Sequence, residues 1–400
     1  MVLAWLAFMA MVIWIWLIAF RDEYWRADQR LDRYRSVADW PSIAIIIPAR
    51  NEAASISPVL RSHLQTDYPG KWSLVLVNDH SNDNTQALAE EALDGEPRAT
   101  IVMPPALPDG WSGKIWAQKA AIDHIATHGE GDGPVYFLMT DADIVHAPST
   151  LRKLVSRAEH DQLAMVSLMA RLDARGFWGG LLIPAFVYFF MKLYPFAGVN
   201  RRSSPLAGAA GGCMLVRADR LKAVGSVDAI KEALIDDCAL ATLMKNGTRD
   251  KSKSVEPSER TPIFLGIADQ EVVSLRDNQS LSTIWAMVSR TAFSQLDHSA
   301  VKLLISVLGM VIVYMVAPFV WLTWPFHGQS YAFGYAMIAA TIMLVSYLPI
   351  MLVYRRPVWW CLTLPMAAFV YTLMTISSAW QYWRGAGNAW KGRHYKKQTE

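Results

Sequence analysis

Cysteine is scarce in this chain: there are three in 400 residues, Cys213, Cys238 and Cys361. An odd number at unrelated spacings excludes a disulfide framework and a cysteine-built zinc site. Charge is thin as well. Asp, Glu, Lys and Arg make up 18% of the residues and the net charge is only +3, so no basic field covers the whole molecule and no nucleic-acid partner is expected. The stretch Val2 to Phe20 has no charged residue, and it lacks both a basic leader region and a small-residue cleavage site, which predicts an uncleaved anchor over residues 1–21. Nor does the first strand carry the glycine-rich basic signature of a nucleotidyltransferase, since it runs on into "PARNEA".

Apolar residues are abundant instead. At 53% hydrophobic with 17 Trp, part of the chain is expected to sit in lipid. Val2 to Phe20 is long enough at 1.5 Å per residue to cross a hydrocarbon core of roughly 30 Å. Three further apolar stretches, Leu303 to Trp324, Tyr331 to Val353 and Val358 to Tyr382, crowd the C-terminal region 301–383, and "PFHGQS" predicts a tight hairpin between the first two. Arg21 closes the anchor segment, and Arg26, Arg30, Arg33 and Arg35 follow in a juxtamembrane linker over 22–41. By the positive-inside rule they set the central region on the cytoplasmic side of a bacterial-type inner membrane. Four full spans would then leave the basic tail 384–400 outside, so one C-terminal segment, with that holding Pro365 as the candidate, is expected to be kinked, re-entrant or interfacial.

Between residues 42 and 300 the pattern alternates. Short β-branched runs, "SIAIII" (42–47), "WSLVLV" (72–77), "TIVM" (100–103) and "VYFLMT" (135–140), are separated by amphipathic stretches at 55–65, "NTQALAEEAL" and 113–127. Such alternation predicts an α/β domain with a mostly parallel sheet and helices on both faces. Ligands bind outside the carboxyl ends of strands in such sheets. Three polar clusters fall at those ends: "PARNEA" (48–53), "NDHSNDNT" (78–85) and "DADI" after "YFLMT". Helix capping accounts for any one of them, but not readily for three on one edge. Burying a carboxylate is costly unless it is paired or bound to a cation, so Asp141 and Asp143 at a strand end call for a partner. In this reading Asp143 is a metal ligand and Asp141 contacts the nucleotide. The segment 177–199, apolar but interrupted by Pro184, Lys192 and Pro195, is expected to be an interfacial element that opens the site to lipid; a buried core helix is the alternative.

Together "IIIPARNEA", "VLVNDHSNDNT", "DAD" and "LIDDCAL" (234–240) resemble the inverting family 2 glycosyltransferases of the GT-A fold, over about Ser42 to Asp297. "LPDGWSGKIWAQ", "AGAAGGCMLVRAD" and "MVSRTAF" are similar to the hopene-associated membrane enzymes of the HpnB type. That resemblance implies a mixed, mostly parallel GT-A sheet with transmembrane helices at both ends, a nucleotide-sugar donor, a lipid acceptor and a divalent cation, Mg²⁺ or Mn²⁺. It places Glu52 and Asp79 on the nucleoside with Asp83 supporting the same loop, Pro48 and Ala49 in the nucleotide-sugar site, and Lys114 at the diphosphate, a solvated lysine at a helix start being the other reading. It lets Gly208, Gly211 and Gly212 admit donor or acceptor, and it makes Asp236 and Asp237 the catalytic acidic pair, with Asp237 as general base; helix capping is their other reading. Arg290 falls where related synthases carry Q-x-x-R-W. Here Met287 and Thr291 replace the glutamine and tryptophan, so Arg290 could clamp diphosphate while long-chain synthesis is disfavoured. Carotenoid, glycolipid or polyprenyl phosphate acceptors, or a catalytically silent scaffold of the same fold, are the alternatives.

Overall fold

The computed structural model describes residues 1–31, 36–129, 131, 133–250, 255–385, 389–390 and 393–394. Arg33, Arg35 and most of the basic tail 384–400 lie outside these described residues. The central region is built on a seven-stranded sheet of order β3-β2-β1-β4-β7-β6-β8. Its strands are β1 (Ile43–Ala49), β2 (Trp72–Asn78), β3 (Ala99–Val102), β4 (Tyr136–Thr140), β6 (Met165–Met169), β7 (Cys213–Arg217) and β8 (Ile263–Ile267); the short β5 (Ile144–His146) and β9 (Val272–Ser274) form a separate antiparallel pair. β1, β2, β3 and β4 run parallel, β6 runs parallel to β8, and β7 is antiparallel to both β4 and β6. Every residue of β1 and β4 is buried, the signature of strands covered on both faces. Pro48 can stand in this central strand because the β1–β4 pairing ends at Ile46, where a missing N–H no longer breaks the ladder.

Were "DADI" only a helix cap, a helix would begin near Asp143. The chain instead continues into β5, which pairs with the distant β9, a long-range contact that local periodicity does not carry. The helix expected at 113–127 spans Gly113–His128, capped by the Ser112 hydroxyl, which accepts from the Ile115 N–H.

Among the described residues, five helices are long and apolar enough to cross a membrane: Val2–Phe20, Gly176–Leu193, Ala300–Leu322, Ser330–Val353 and Val358–Trp383. Between Val311 and Met315 the third of these widens into a π-helical turn, which loosens the regular carbonyl ladder. The Trp14 indole N–H donates to the Val313 carbonyl there at 2.7 Å, tying the N-terminal helix to it. Pro365 lies in the first turn of the helix Leu364–Trp383, preceded by a 3₁₀ turn over Val358–Thr363. In a first turn the N–H that proline lacks would be unsatisfied anyway.

Helix Gly176–Leu193 buries ten of its 18 residues, Pro184 and Tyr188 among them. Its neighbours are the terminal helices: the Tyr188 hydroxyl meets Ser346 Oγ at 2.8 Å, Tyr371 donates to the Leu182 carbonyl at 2.9 Å, and Arg21 donates to the carbonyls of Lys192 and Leu193. A helix with no charge before Lys192 is thereby sheathed by other apolar helices, leaving Phe177 and Leu193 exposed at its ends.

Candidate active site

The parallel strands deliver their carboxyl ends to one edge of the sheet, and the antiparallel β7 begins there, with Cys213 opposite Thr140. At the β1–β2 end of this edge the loops are stitched together. Asn51 and His80 both adopt positive φ, which short polar side chains tolerate better than bulky ones. The Asn51 N–H donates to Ser81 Oγ at 3.0 Å, and the Asn82 N–H donates back to Asn51 Oδ1 at 2.9 Å. Asp83 accepts from the N–H groups of Thr85 and Ala53 at 3.0 and 3.2 Å, while the Glu52 N–H donates to Thr85 Oγ1 at 2.8 Å. Burial works to raise the Asp83 carboxyl, but the Thr85 hydroxyl, which also donates to it, and the N–H donors together hold it below its usual range. Asp79, buried at the end of β2, is fixed through its N–H to the Ala49 carbonyl at 2.8 Å, and the Arg50 guanidinium donates to the Asp79 carbonyl.

The β4–β7 end is organised by charge. Lys114, in the first turn of helix Gly113–His128, reaches Asp141 Oδ1 at 2.8 Å and Asp236 Oδ2 at 3.1 Å. Only 18% of its side chain is exposed, so it is not a solvated helix-start lysine. Burial penalises its charge, but Asp141, Asp236 and Asp237 outweigh that penalty and hold the ammonium firmly protonated. Asp237 lies in the first turn of helix Asp236–Asn246, where a negative charge suits the helix dipole. Its Oδ2 accepts from the Gly211 N–H at 2.9 Å and its Oδ1 from the Cys238 N–H at 2.7 Å. Burial first, and repulsion from Asp236 second, push the Asp237 carboxyl up to about 6; Lys114 and the two N–H donors moderate the rise. Gly211 is required by close approach, because a Cβ there would stand 3.1 Å from Lys114 Nζ and 3.3 Å from Asp237 Oδ2. Helix Asp236–Asn246 is anchored at its far end by the buried Lys245, whose ammonium donates to the carbonyls of Val199, Arg201 and Leu206.

Asp143 lies beside this cluster. Burial and repulsion from Asp141 push its carboxyl up to about 6, against the pull of Arg276, whose Nε is 3.6 Å from Asp143 Oδ2. Crowded, partly desolvated carboxylates are hard oxygen donors whose repulsion a divalent cation would relieve, so Asp143 and Asp141 fit Mg²⁺ or Mn²⁺. Among the described residues no three His, Cys, Asp or Glu side chains converge closely enough to hold a cation by themselves, so such an ion would take its remaining ligands from donor phosphates and water. Arg290 ends the helix Leu281–Ser289 and is exposed.

Sequence reasoning missed Arg276. It follows β9 and reaches Asp143 only because β9 pairs with β5, and "SLRDN" carries no local motif that announces it.

Three comparisons bear on this arrangement. The sequence model described as Glycosyl transferase family 2 matches residues 44–225. An N-acetylglucosaminyltransferase of Mesorhizobium japonicum is 36% identical over 137 residues, covering 34% of this chain and 29% of that protein. A beta-monoglucosyldiacylglycerol synthase of Synechocystis is 27% identical over 121 residues, covering 30% and 23% respectively. An undecaprenyl-phosphate 4-deoxy-4-formamido-L-arabinose transferase of Proteus mirabilis is 27% identical over 119 residues, covering 29% and 33%. The chain thus spans no more than about a third of the length of the curated relatives it matches. Among solved structures, the mannosyltransferase PcManGT of Pyrobaculum calidifontis, in complex with GDP-Man and Mn²⁺, superposes with a TM-score of 0.54 at 17% identity, covering 95% of this chain and 98% of that one. Residues 44–225, a little under half of the chain, thus match the family 2 glycosyltransferase model, the fold is GT-A, and helices long and apolar enough to cross a membrane stand at both ends.

Proposed function

We propose that this chain transfers a sugar from a nucleotide-diphosphate donor to a lipid acceptor, with inversion, on the cytoplasmic face of the inner membrane. The observation that carries the reading is the convergence of Lys114, Asp141, Asp236 and Asp237 at one sheet edge, in a domain whose neighbours are apolar helices. A lipid acceptor is supported by the printed activities of the glucosyldiacylglycerol synthase and the undecaprenyl-phosphate transferase, and a hopanoid-type lipid by the resemblance of its motifs to the HpnB type.

In this mechanism Pro48, Ala49, Glu52 and Asp79 form the nucleoside pocket and Asp83 braces its loop. Asp143, with Asp141 beside it, would hold Mg²⁺ or Mn²⁺, which would neutralise charge growing on the departing diphosphate. Lys114 and Arg290 add positive charge on the same group. Asp237 takes the proton of an acceptor hydroxyl as that oxygen attacks the anomeric carbon; the bond to the diphosphate breaks on the opposite side. A carboxyl pushed up to about 6 is well matched to this task near neutral pH. One base and no enzyme nucleophile give a single displacement.

The test is incubation of the purified protein with a panel of radiolabelled nucleotide sugars and a bacterial lipid extract. Label should move to the lipid phase with one donor, and an inverted anomeric configuration in the product is expected. Inertness toward every donor would favour the silent scaffold.

A further inference from the structure

The same sheet edge continues past β7 to β6, and two arginines follow that strand. After β6 come Arg171 and Arg175; beside them lie Arg355 and Arg356, at the exit of the apolar helix Ser330–Val353. Together they line a cavity of about 460 Å³, closed by Asp173, Ser274, Leu275 and Tyr354. Asp173 pairs with Arg175, and Asp269 pairs with Arg171 and, at 3.7 Å, with Arg355; four arginines against these two aspartates leave the cavity with a net positive charge. Two of the guanidiniums are open to solvent, Arg175 at 77% and Arg355 at 63% of their side chains.

Three features mark it as built. Arg355 adopts a positive φ of 54°, a costly conformation for a bulky residue that persists only where surroundings impose it. Arg356 is held by the Ala174 carbonyl and lies over the Trp360 ring. Gly180 makes room for it, since a Cβ there would stand 2.9 Å from the guanidinium. One wall of the cavity is tied to the reaction centre, because the Leu275 N–H donates to the Asp143 carbonyl at 2.7 Å. Its outer neighbours in the chain are apolar and exposed: Phe177 beside Arg175, and Trp359 and Leu362 beyond Pro357. Guanidiniums below and exposed aromatics beside them match a phosphate carried on an acyl chain.

We infer that this cavity holds the phosphate of the acceptor's headgroup, and that the acceptor is an anionic phospholipid whose headgroup also bears a free hydroxyl, in place of the hopanoid that the motif resemblance alone favours. This rests on the transfer reaction proposed above. A basic cavity calls for the phosphate, and a general base calls for a hydroxyl, since an ionised phosphate oxygen would need no proton removed. In the step, the headgroup hydroxyl oxygen bonds to the anomeric carbon, its proton passes to Asp237, and the nucleoside diphosphate leaves with the bonding electron pair.

The experiment uses the full-length protein in detergent and reads bound lipid by native mass spectrometry, alongside transfer activity. The lipids are phosphatidylglycerol (phosphate and hydroxyl), phosphatidic acid (phosphate, no headgroup hydroxyl) and diacylglycerol (hydroxyl, no phosphate), with soluble glycerol 3-phosphate as the chain-free control. Phosphatidylglycerol and phosphatidic acid should be retained, diacylglycerol and glycerol 3-phosphate should not, and only phosphatidylglycerol should accept sugar. Arg175→Ala and Arg355→Gly should each weaken retention about five- to tenfold, whereas Lys222→Ala, an exposed cation outside the cavity, should not. Arg355→Gly also relieves the positive φ, so its melting temperature should not fall. Equal retention by the arginine variants, or of diacylglycerol by the wild type, would overturn the site. Glycerol 3-phosphate retained as well as phosphatidylglycerol would mean a site for free phosphates and overturn the lipid assignment, and sugar passing to diacylglycerol but not phosphatidylglycerol would overturn the acceptor class. Arginine-dependent lipid retention with no transfer from any donor would keep the phosphate site while removing the transferase reading and, with it, the acceptor role.

Discussion

The two ends of the candidate site are built on different principles. At the β1–β2 end, polar side chains are bonded to backbone groups and hydroxyls, so Asn51, Asp83 and Thr85 fix a surface before any ligand arrives. At the β4–β7 end, Lys114 pairs with Asp141 and Asp236 and feels the charge of Asp237, whose oxygens are held by two backbone N–H groups, so the arrangement depends largely on a balance of charge that a cation and a diphosphate would change. The first end is suited to recognition, the second to chemistry.

If that contrast is correct, the largest effect comes from Asp237→Asn. Turnover should fall about a thousandfold while donor affinity, measured by calorimetric titration, stays within about twofold; near-normal turnover would sink the base assignment. Lys114→Met should come next. It leaves three carboxylates without their cation, and donor affinity should drop ten- to a hundredfold. An unchanged affinity would make the lysine a structural counter-ion only. A smaller, sharper effect concerns pH. A base acts only when deprotonated, so kcat/KM should fall as pH drops through about 6, the value to which burial and Asp236 raise Asp237. Asp236→Asn removes the repulsion, and the acid limb of the profile should move to lower pH; movement the other way would contradict the coupling. The smallest effect is expected at the finished end: Asp83→Ala, on an exposed side chain, should cost about 0.5 kcal/mol of stability and weaken donor binding less than threefold, read by thermal melting and titration.

Much of this was legible in the sequence for identifiable reasons. β1, β2 and β4 are β-branched runs bounded by polar turns, and their ends coincide with the quoted motifs to within two residues. Asp141 and Asp236, almost a hundred residues apart, could be brought together from sequence only by the family resemblance, and in the structure both pair with Lys114. What periodicity could not reveal was pairing across long stretches of chain: β5 with β9, hence Arg276 on Asp143, and the arginines gathered from the end of β6 and the exit of a terminal helix. The helix Gly176–Leu193 was hard to read for a related reason. Apolar length is the same whether the surroundings are lipid or other helices, and only the contacts of Tyr188 and Leu182 tell them apart.

That helix has a consequence for the order in which the molecule can be made. It lies in the chain between β6 and β7, and β7 alone connects the β3-β2-β1-β4 half of the sheet to the β6-β8 half. During synthesis the first half emerges with an open edge at β4, and the strand that closes it arrives only after an 18-residue apolar helix has left the ribosome. Assembly of the sheet and delivery of the nascent chain to the membrane are thereby coupled. Cutting the chain at 42 and 300 would yield an enzyme half-folded around a helix whose partners, Ser346 and Tyr371, had been removed.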